Sequence, residues 1–341
     1  MAKITVSPAN GAKVSLLSPE MTAWLANYQK AQLDSVCDFT EKCGPCPVEF
    51  RWADRPEALS CRLILSKDPG FARPDVFETE TAKLRVEDLL PGTDYYWRVE
   101  FTGPAGSFCS ETSSFSTLPG PRTVHVGGMS NVRDIGGWTG LDGRKVKFGI
   151  AYRGADLAHL TPEGAEKITK TLGIRTELDL RNEVPDAVSL FGPQVKLLSC
   201  AAPWYSWIFD EKYRGALARE IRFFTDPDLF PVYFHCSLGR DRTGTLAFLL
   251  LSLCGVSETD ILKDYETSFF SGLGGYEDRT VPSEMVNVHL SAMIEGIKKI
   301  DVPEDRSCRA RAPLYARTRL FLKGLGLTDS ELDAVRDNLL E

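Results

Sequence analysis

The chain has no apolar run approaching the roughly 20 residues that a bilayer-spanning helix needs, so no stretch reads as a transmembrane segment. It has no excess of positive charge either. Its 40 Lys and Arg stand against 47 Asp and Glu, a formal net charge of −7, and that balance gives no support for bulk nucleic-acid binding. An anionic ligand must then be drawn by local basic residues rather than by the overall field. The first residues, Met1-Ala2-Lys3-Ile4-Thr5-Val6-Ser7-Pro8, lack the apolar core of a secretion signal. The expectation is a cytoplasmic protein, with an already removed signal left open. A disulfide framework is also missing. The nine cysteines, at 37, 43, 46, 61, 109, 200, 236, 254 and 308, are odd in number and irregular in spacing.

What is present is an ordinary globular composition, 43% hydrophobic and 26% charged over 341 residues, long enough for two domains. One stretch organises the rest: Phe234-His235-Cys236-Ser237-Leu238-Gly239-Arg240-Asp241-Arg242-Thr243-Gly244. Before it, Leu229–Phe234 reads as a buried strand. After it, Thr245–Cys254 reads as a buried helix. Strand, short polar loop and helix make an anion-binding arrangement, because loop N–H groups and the positive end of the helix dipole converge on one point. A cysteine at that point has its thiolate stabilised and can act as a nucleophile. Arg242, six residues after Cys236, offers a planar fork for two oxygens of a phosphoryl group. Together they suit attack on a phosphate monoester through sulfur.

His235, Cys236, Gly239, Arg242 and Thr243 together resemble the signature loop of the cysteine-dependent protein tyrosine phosphatase superfamily. Three further segments, Asn131-x-Arg133-Asp134-x-Gly136-Gly137, Tyr152-Arg153-Gly154 and Asp179-Leu180-Arg181, follow the order of the bacterial tyrosine and lipid phosphatases. This resemblance spans about residues 122–341 and implies an α/β phosphatase domain acting on phosphotyrosine proteins or on phosphorylated small molecules or lipids. It implies Cys236 as nucleophile through a phosphocysteine. Ser237, Leu238, Gly239, Arg240, Asp241 and Arg242 then form the phosphate site, with Thr243 bonding the sulfur and His235, Asn131 and Arg133 in support. No metal or cofactor is expected. Two carboxylates compete as general acid: Asp241 inside the loop, which the subgroup is thought to use, and Asp134, which could instead bind Arg242 or Arg133 structurally. Asp241 is favoured. Arg240 stands where lysine is more familiar, and an extra cation there could meet a second phosphate or a carboxylate. Trp204, Tyr205 and Trp207 could wall the pocket or simply pack in the core.

Residues 1–118 read as short strands with turns, an all-β sandwich expectation. Leu90-x-Gly92-Thr93-x-Tyr95-x-x-Arg98-Val99 resembles the fibronectin type III family, implying a tyrosine corner at Tyr95 and a core tryptophan at Trp52. Near-helical spacing over Ser18–Asp38 predicts an inserted helix near 19–38, either an arm onto the second domain or a cap on the sandwich. Cys43-Gly44-Pro45-Cys46 looks like a redox tetrapeptide, but the strand-like Val48-Glu49-Phe50 that follows is the wrong context. Cys37, Cys43, Cys46 and Cys61 are spaced poorly for zinc. Beyond Thr117-Leu118-Pro119-Gly120-Pro121, strands and helices alternate, with a helical C-terminal half. Three readings remain open: a tyrosine or dual-type phosphatase, an inositol-phosphate or phosphoinositide phosphatase, and a binder of phosphorylated ligands without turnover.

Overall fold

The computed structural model describes residues 6–28, 41–55, 58–104, 106–184, 187–272, 288–302 and 313–341. The chain divides into two compact units, Met1–Ser18 with Pro45–Gly120, and Pro19–Gly44 with Pro121–Glu341. Among the described residues no helix is long and apolar enough to cross a membrane.

The first unit is built on strands that alternate. β1 (Ala12–Val14), β2 (Val48–Arg51), β3 (Ser60–Ser66), β4 (Asp75–Thr79), β5 (Lys83–Val86), β6 (Asp94–Gly103), β7 (Gly106–Cys109) and β8 (Ser113–Thr117) form two sheets. One runs β1-β8-β6-β3-β4, with β7 also on β6, and the other pairs β2 with β5. Tyr95, Trp97, Val99 and Phe101 take every second position of β6 and are buried, as a half-buried strand requires. They share one core with Val48, Phe50 and Val86 of the smaller sheet. Gly92 turns the chain in the left-handed region, and the Tyr95 hydroxyl accepts from the Leu90 N–H at 2.9 Å. Trp52 is buried in the same core. Ile4-Thr5-Val6 reads as a short strand in the sequence; Ile4 and Thr5 lie outside the described residues.

The insertion after β1 belongs with the second unit. It forms α1 (Pro19–Ala26), shorter than the expected span; residues 29–38 of that expectation lie outside the described residues. Trp24 packs on Phe270 with ring centroids 5.0 Å apart. Cys43 Sγ donates to Thr267 O at 3.2 Å, and Glu41 accepts from the Gly272 N–H at 3.0 Å. Burial pushes the Cys43 thiol up. Cys61 instead lies on β3, donating to Thr79 O, and no metal-holding group of three or more ligands occurs among the described residues.

The second unit holds a six-stranded sheet of order β13-β12-β14-β11-β10-β9. Its strands are β9 (Arg122–Thr123), β10 (Arg133–Asp134), β11 (Ala151–Gly154), β12 (Thr176–Asp179), β13 (Lys196–Ser199) and β14 (Val232–His235). β13, β12, β14 and β11 are parallel, and β10 and β9 continue antiparallel. β14 is buried along its whole length, as expected of a parallel strand covered on both faces. Tyr233 packs with Ile168 and Leu172 on one side, and Phe234 meets Phe224 on the other.

Helices follow where capping residues stand. Thr161 Oγ1 accepts from the Gly164 N–H, starting α2 (Pro162–Glu166), which continues as a π-helical turn to Thr171 before Gly173 ends it at positive φ. α3 (Arg214–Arg222) and α4 (Asp241–Leu253) come next, then α5 (Glu258–Glu266), capped by Ser257. α4 is apolar all round and buried from Thr243 onward. Helices Val288–Lys298, Leu314–Gly324 and Asp329–Leu339 complete the C-terminal half, the last with a Thr328–Glu331 capping box. Thr123-Val124-His125-Val126 reads as a strand in the sequence, but β9 covers only Arg122–Thr123; residues 284–300 read as a helix, of which 284–287 lie outside the described residues.

Candidate active site

β14 delivers Cys236 to the carboxyl edge of the sheet between β12 and β11, where open α/β sheets place their ligands. The sulfur residue is buried, and the turn that follows leads directly into α4. Gly239 adopts a φ of +68° against the backbone of Gly154, where a Cβ would collide with the Gly154 carbonyl. Only glycine fits that close approach at that φ.

The loop's carbonyls are each held from outside. Asn131 Nδ2 donates to Leu238 O at 3.0 Å and Gly239 O at 3.2 Å. Arg153 Nη2 donates to Gly239 O at 3.0 Å, and the Asp156 N–H to Ser237 O at 3.1 Å. The His235 ring lies 3.3 Å from Cys236 O. In a trans peptide the N–H opposes the C=O, so fixing four carbonyls outward turns the N–H groups of Ser237, Leu238, Gly239 and Arg240 inward. Among the described residues none of the N–H groups from Ser237 to Arg242 donates to a protein acceptor.

A buried charge cluster stands behind these contacts. Asp264 of α5 binds Arg133 Nε at 3.1 Å and Arg153 Nη1 at 2.5 Å, with both guanidinium groups fully buried. Arg133 also donates to Asn131 Oδ1, Asp264 O and Ser268 Oγ. Burial raises the Asp264 carboxyl, but Arg153 and Arg133 outweigh it and the net shift is downward. His235 is buried, its Nε2 3.0 Å from Glu177 Oε1, while Glu177 Oε2 accepts from Ser189 Oγ at 2.5 Å.

Arg242 differs from its neighbours. Arg133, Arg153, Arg181 and Arg240 each bind a carboxylate, whereas Arg242 makes no ion pair among the described residues. Its guanidinium lies 4.3 Å over the Trp204 ring, and its Nε is buried without an acceptor. Trp204 in turn meets Trp207 at 4.2 Å, and Trp207 stacks on Tyr213 at 6.0 Å. Trp204 is half-buried and Trp207 exposed, so neither ring packs in the core, whereas Tyr205 is buried; flanked by Arg242 and Trp207, Trp204 braces the arginine.

Asp241 sits on the first turn of α4, with its side chain partly exposed. Its Oδ1 accepts from the Tyr205 hydroxyl at 2.5 Å and from Arg240 Nε at 3.1 Å. Asp134 lies elsewhere. It is fully buried, its Oδ1 accepting from the Gly136 N–H at 2.8 Å and its Oδ2 from the Gly149 N–H at 2.7 Å and Arg122 at 3.0 Å. Burial pushes its carboxyl up against those donors. The expectation that Asp134 binds Arg242 or Arg133 is corrected: its partner is Arg122, which stands opposite it in register on β9. The Arg240 guanidinium is turned onto Asp241 and over the Phe269 ring at 5.7 Å. Thr243 Oγ1 is buried and makes no hydrogen bond among the described residues, so the expected bond to Cys236 sulfur is not formed here.

Asp264, Tyr265 and Ser268 were not among the sequence candidates. One signal pointed to them: Ile261, Asp264 and Tyr265 share one face of α5 by helical spacing, and a carboxylate on a buried stripe needs a partner.

A model of the tyrosine phosphatase family matches residues 124–341, and the chain belongs to that family. A Cupriavidus necator protein provisionally named a tyrosine-protein phosphatase is 30% identical over 166 residues, 40% of this chain and 59% of the relative. The matched region thus spans less than two thirds of that relative's length. The core catalytic domain of the Saccharomyces cerevisiae PP-IP phosphatase SIW14, solved with citrate, is 17% identical over 45% of this chain and 89% of that chain, with a TM-score of 0.29, a superposition too loose to inform the fold.

Proposed function

We propose that this protein is a phosphomonoester hydrolase working through a phosphocysteine, acting on phosphotyrosine-type substrates. The observation that carries it is the pairing of Cys236 with an arginine that binds no carboxylate, and with a ring of N–H groups that meet no acceptor, among the described residues. Preorganised donors of that kind serve the charge that grows on a transferring phosphoryl group. Cys236 Sγ bonds to phosphorus as the P–O bond to the leaving group breaks. Arg242 and the N–H groups of Ser237 to Arg242 hold the equatorial oxygens. Asp241 gives its proton to the leaving oxygen. Water then attacks phosphorus, the S–P bond breaks, Asp241 takes the water's proton, and inorganic phosphate departs. Thr243 Oγ1, lacking another partner, is available to the departing sulfur.

The engagement of Arg240 by Asp241 leaves the loop no spare cation, which favours a single phosphate over a polyphosphorylated inositol. The first unit, with Tyr95 bound to Leu90 and Trp52 in its core, supports a fibronectin type III-like accessory domain.

The test is p-nitrophenyl phosphate turnover by wild type and Cys236→Ser, with and without chelator. Wild type should turn over in chelator with inhibition by vanadate, and the variant should lose roughly 10⁴-fold or more. A wild type that binds vanadate yet shows no turnover would make the protein a binder. A panel of phosphopeptides, phosphoinositides and soluble inositol phosphates should show the phosphopeptides preferred, and a preference for an inositol phosphate would overturn the substrate reading.

A further inference from the structure

Asp241 carries one oxygen with two donors and one with none among the described residues. Oδ1 accepts from Tyr205 and Arg240, and Oδ2 makes no protein hydrogen bond. Tyr205 has a single hydroxyl proton. Once that proton points at Asp241, the phenolic oxygen must accept in its 2.6 Å contact with Tyr265, so Tyr265 is the donor there. The chain of protons runs Tyr265 to Tyr205 to Asp241.

Tyr205 is held for this contact at some cost. It is a non-glycine residue with a φ of +51°, in the left-handed region that favours glycine. Two contacts stabilise it there. Its N–H donates to Thr245 Oγ1 at 2.8 Å, and its ring stacks on His289 at 5.4 Å. Thr245 lies four residues after Asp241, on the same face of α4. Backbone and hydroxyl of Tyr205 therefore clasp one helix face, with Asp241 fixed in register by Thr245. Burial keeps both phenols protonated, pushing Tyr205 up and Tyr265 up to about 12.

We propose that Tyr205, backed by Tyr265, is a positioning residue that assigns the two oxygens of Asp241 separate tasks. Oδ1 is tied up as an acceptor, and the transferable proton resides on Oδ2, which faces the leaving group. The inference rests on the reading of Asp241 as the acid. In the transfer the Oδ2–H bond breaks, its proton goes to the leaving oxygen, and the carboxylate charge is met by the Tyr205 hydroxyl and Arg240. Tyr205 exchanges no proton with substrate.

The experiment uses the full chain and a series of aryl phosphates, from p-nitrophenyl phosphate, whose leaving group needs little protonation, to phenyl phosphate, whose leaving group needs it. Tyr205→Phe keeps the ring, the His289 stack and the N–H bond to Thr245. It should lower kcat for phenyl phosphate by roughly 10- to 100-fold and change p-nitrophenyl phosphate by no more than about 2-fold, with KM unchanged for both. Tyr265→Phe, one bond removed, should show a smaller loss in the same direction, and serves if Tyr205→Phe fails to fold. In an Asp241→Asn background, Tyr205→Phe should add no leaving-group-dependent loss. Equal losses on both substrates, or a further selective loss in the Asp241→Asn background, would overturn the assignment. If Asp241→Asn alone shows no leaving-group dependence, it is the acid reading that fails.

Discussion

At the scale of single residues, Arg242 carries the proposal that the loop is an anion site. Among the described residues Arg133, Arg153, Arg181 and Arg240 each bind a carboxylate and Arg242 binds none, which keeps its donors free for an anion. Its orientation then has to come from something other than an ion pair, and Trp204 at 4.3 Å is the group in place. Cation–π contacts range from about 0.5 to 2 kcal/mol, so Trp204→Ala should weaken vanadate binding roughly 2- to 30-fold, while Trp204→Phe retains most of it. Unchanged vanadate inhibition in Trp204→Ala would mean that Arg242 is held by other means. Cys236 and Arg242 were legible from spacing because strand, loop and helix are contiguous. The Trp204 contact was not, since 38 residues of chain separate it from Arg242.

At the scale of elements, α5 anchors the loop although it contributes no group to the phosphate site. Asp264 ties Arg133 and Arg153, separated from it by 131 and 111 residues, and those arginines with Asn131 set the loop's carbonyls. Removing one partner of a buried charge cluster leaves the others uncompensated, at about 3–5 kcal/mol. Asp264→Asn should show a loss of that size in urea unfolding at pH 7, and a lower kcat. The pH dependence has a definite sign. The folded Asp264 carboxyl lies below its ordinary value, so its contribution is fully present above the unfolded value near about 4 and is lost as pH falls through the folded value. Wild-type stability should drop over that acid range more steeply than the variant's, and curves of equal slope would rule this out. The capping box of Thr328 with Glu331 is local, and Thr328→Ala should cost about 1 kcal/mol in the same assay. A cap closes within three residues of chain, whereas the two arginine partners of Asp264 lie more than 100 residues from it in sequence.

At the scale of the whole molecule, the segment Pro19–Gly44 leaves the first unit's sequence span and packs within the phosphatase unit. It covers the turn after α5 through Trp24, Cys43 and Glu41, which meet Phe270, Thr267 and Gly272. That turn also carries Ser268, which binds Arg133. Truncating a buried tryptophan costs about 3–5 kcal/mol. Calorimetry of Trp24→Ala should therefore lower the transition of the phosphatase unit and leave that of the first unit in place. A shift confined to the first unit would show the arm to be misassigned. The helical spacing of Trp24 and its neighbours was visible in the sequence, but either unit offered an apolar surface to receive it.

By itself the sequence determined the parts whose geometry closes over a few residues: the strand-loop-helix around Cys236, the glycine at 239, the caps, and the alternation of β6. Membership of the tyrosine phosphatase family rests on the match over residues 124–341, which holds the Cys236 loop. Tertiary structure decided what depends on distant segments meeting. It turned Asp134 to Arg122, folded Arg240 back on Asp241, and brought Tyr205 and Tyr265 to Asp241 and Asp264 to the two arginines. The physical reason is that a local motif is specified by backbone torsions and hydrogen bonds between near neighbours. The partner of a buried charge is specified only by which far segments share the same low-dielectric interior, and several carboxylates in the sequence could have met each arginine.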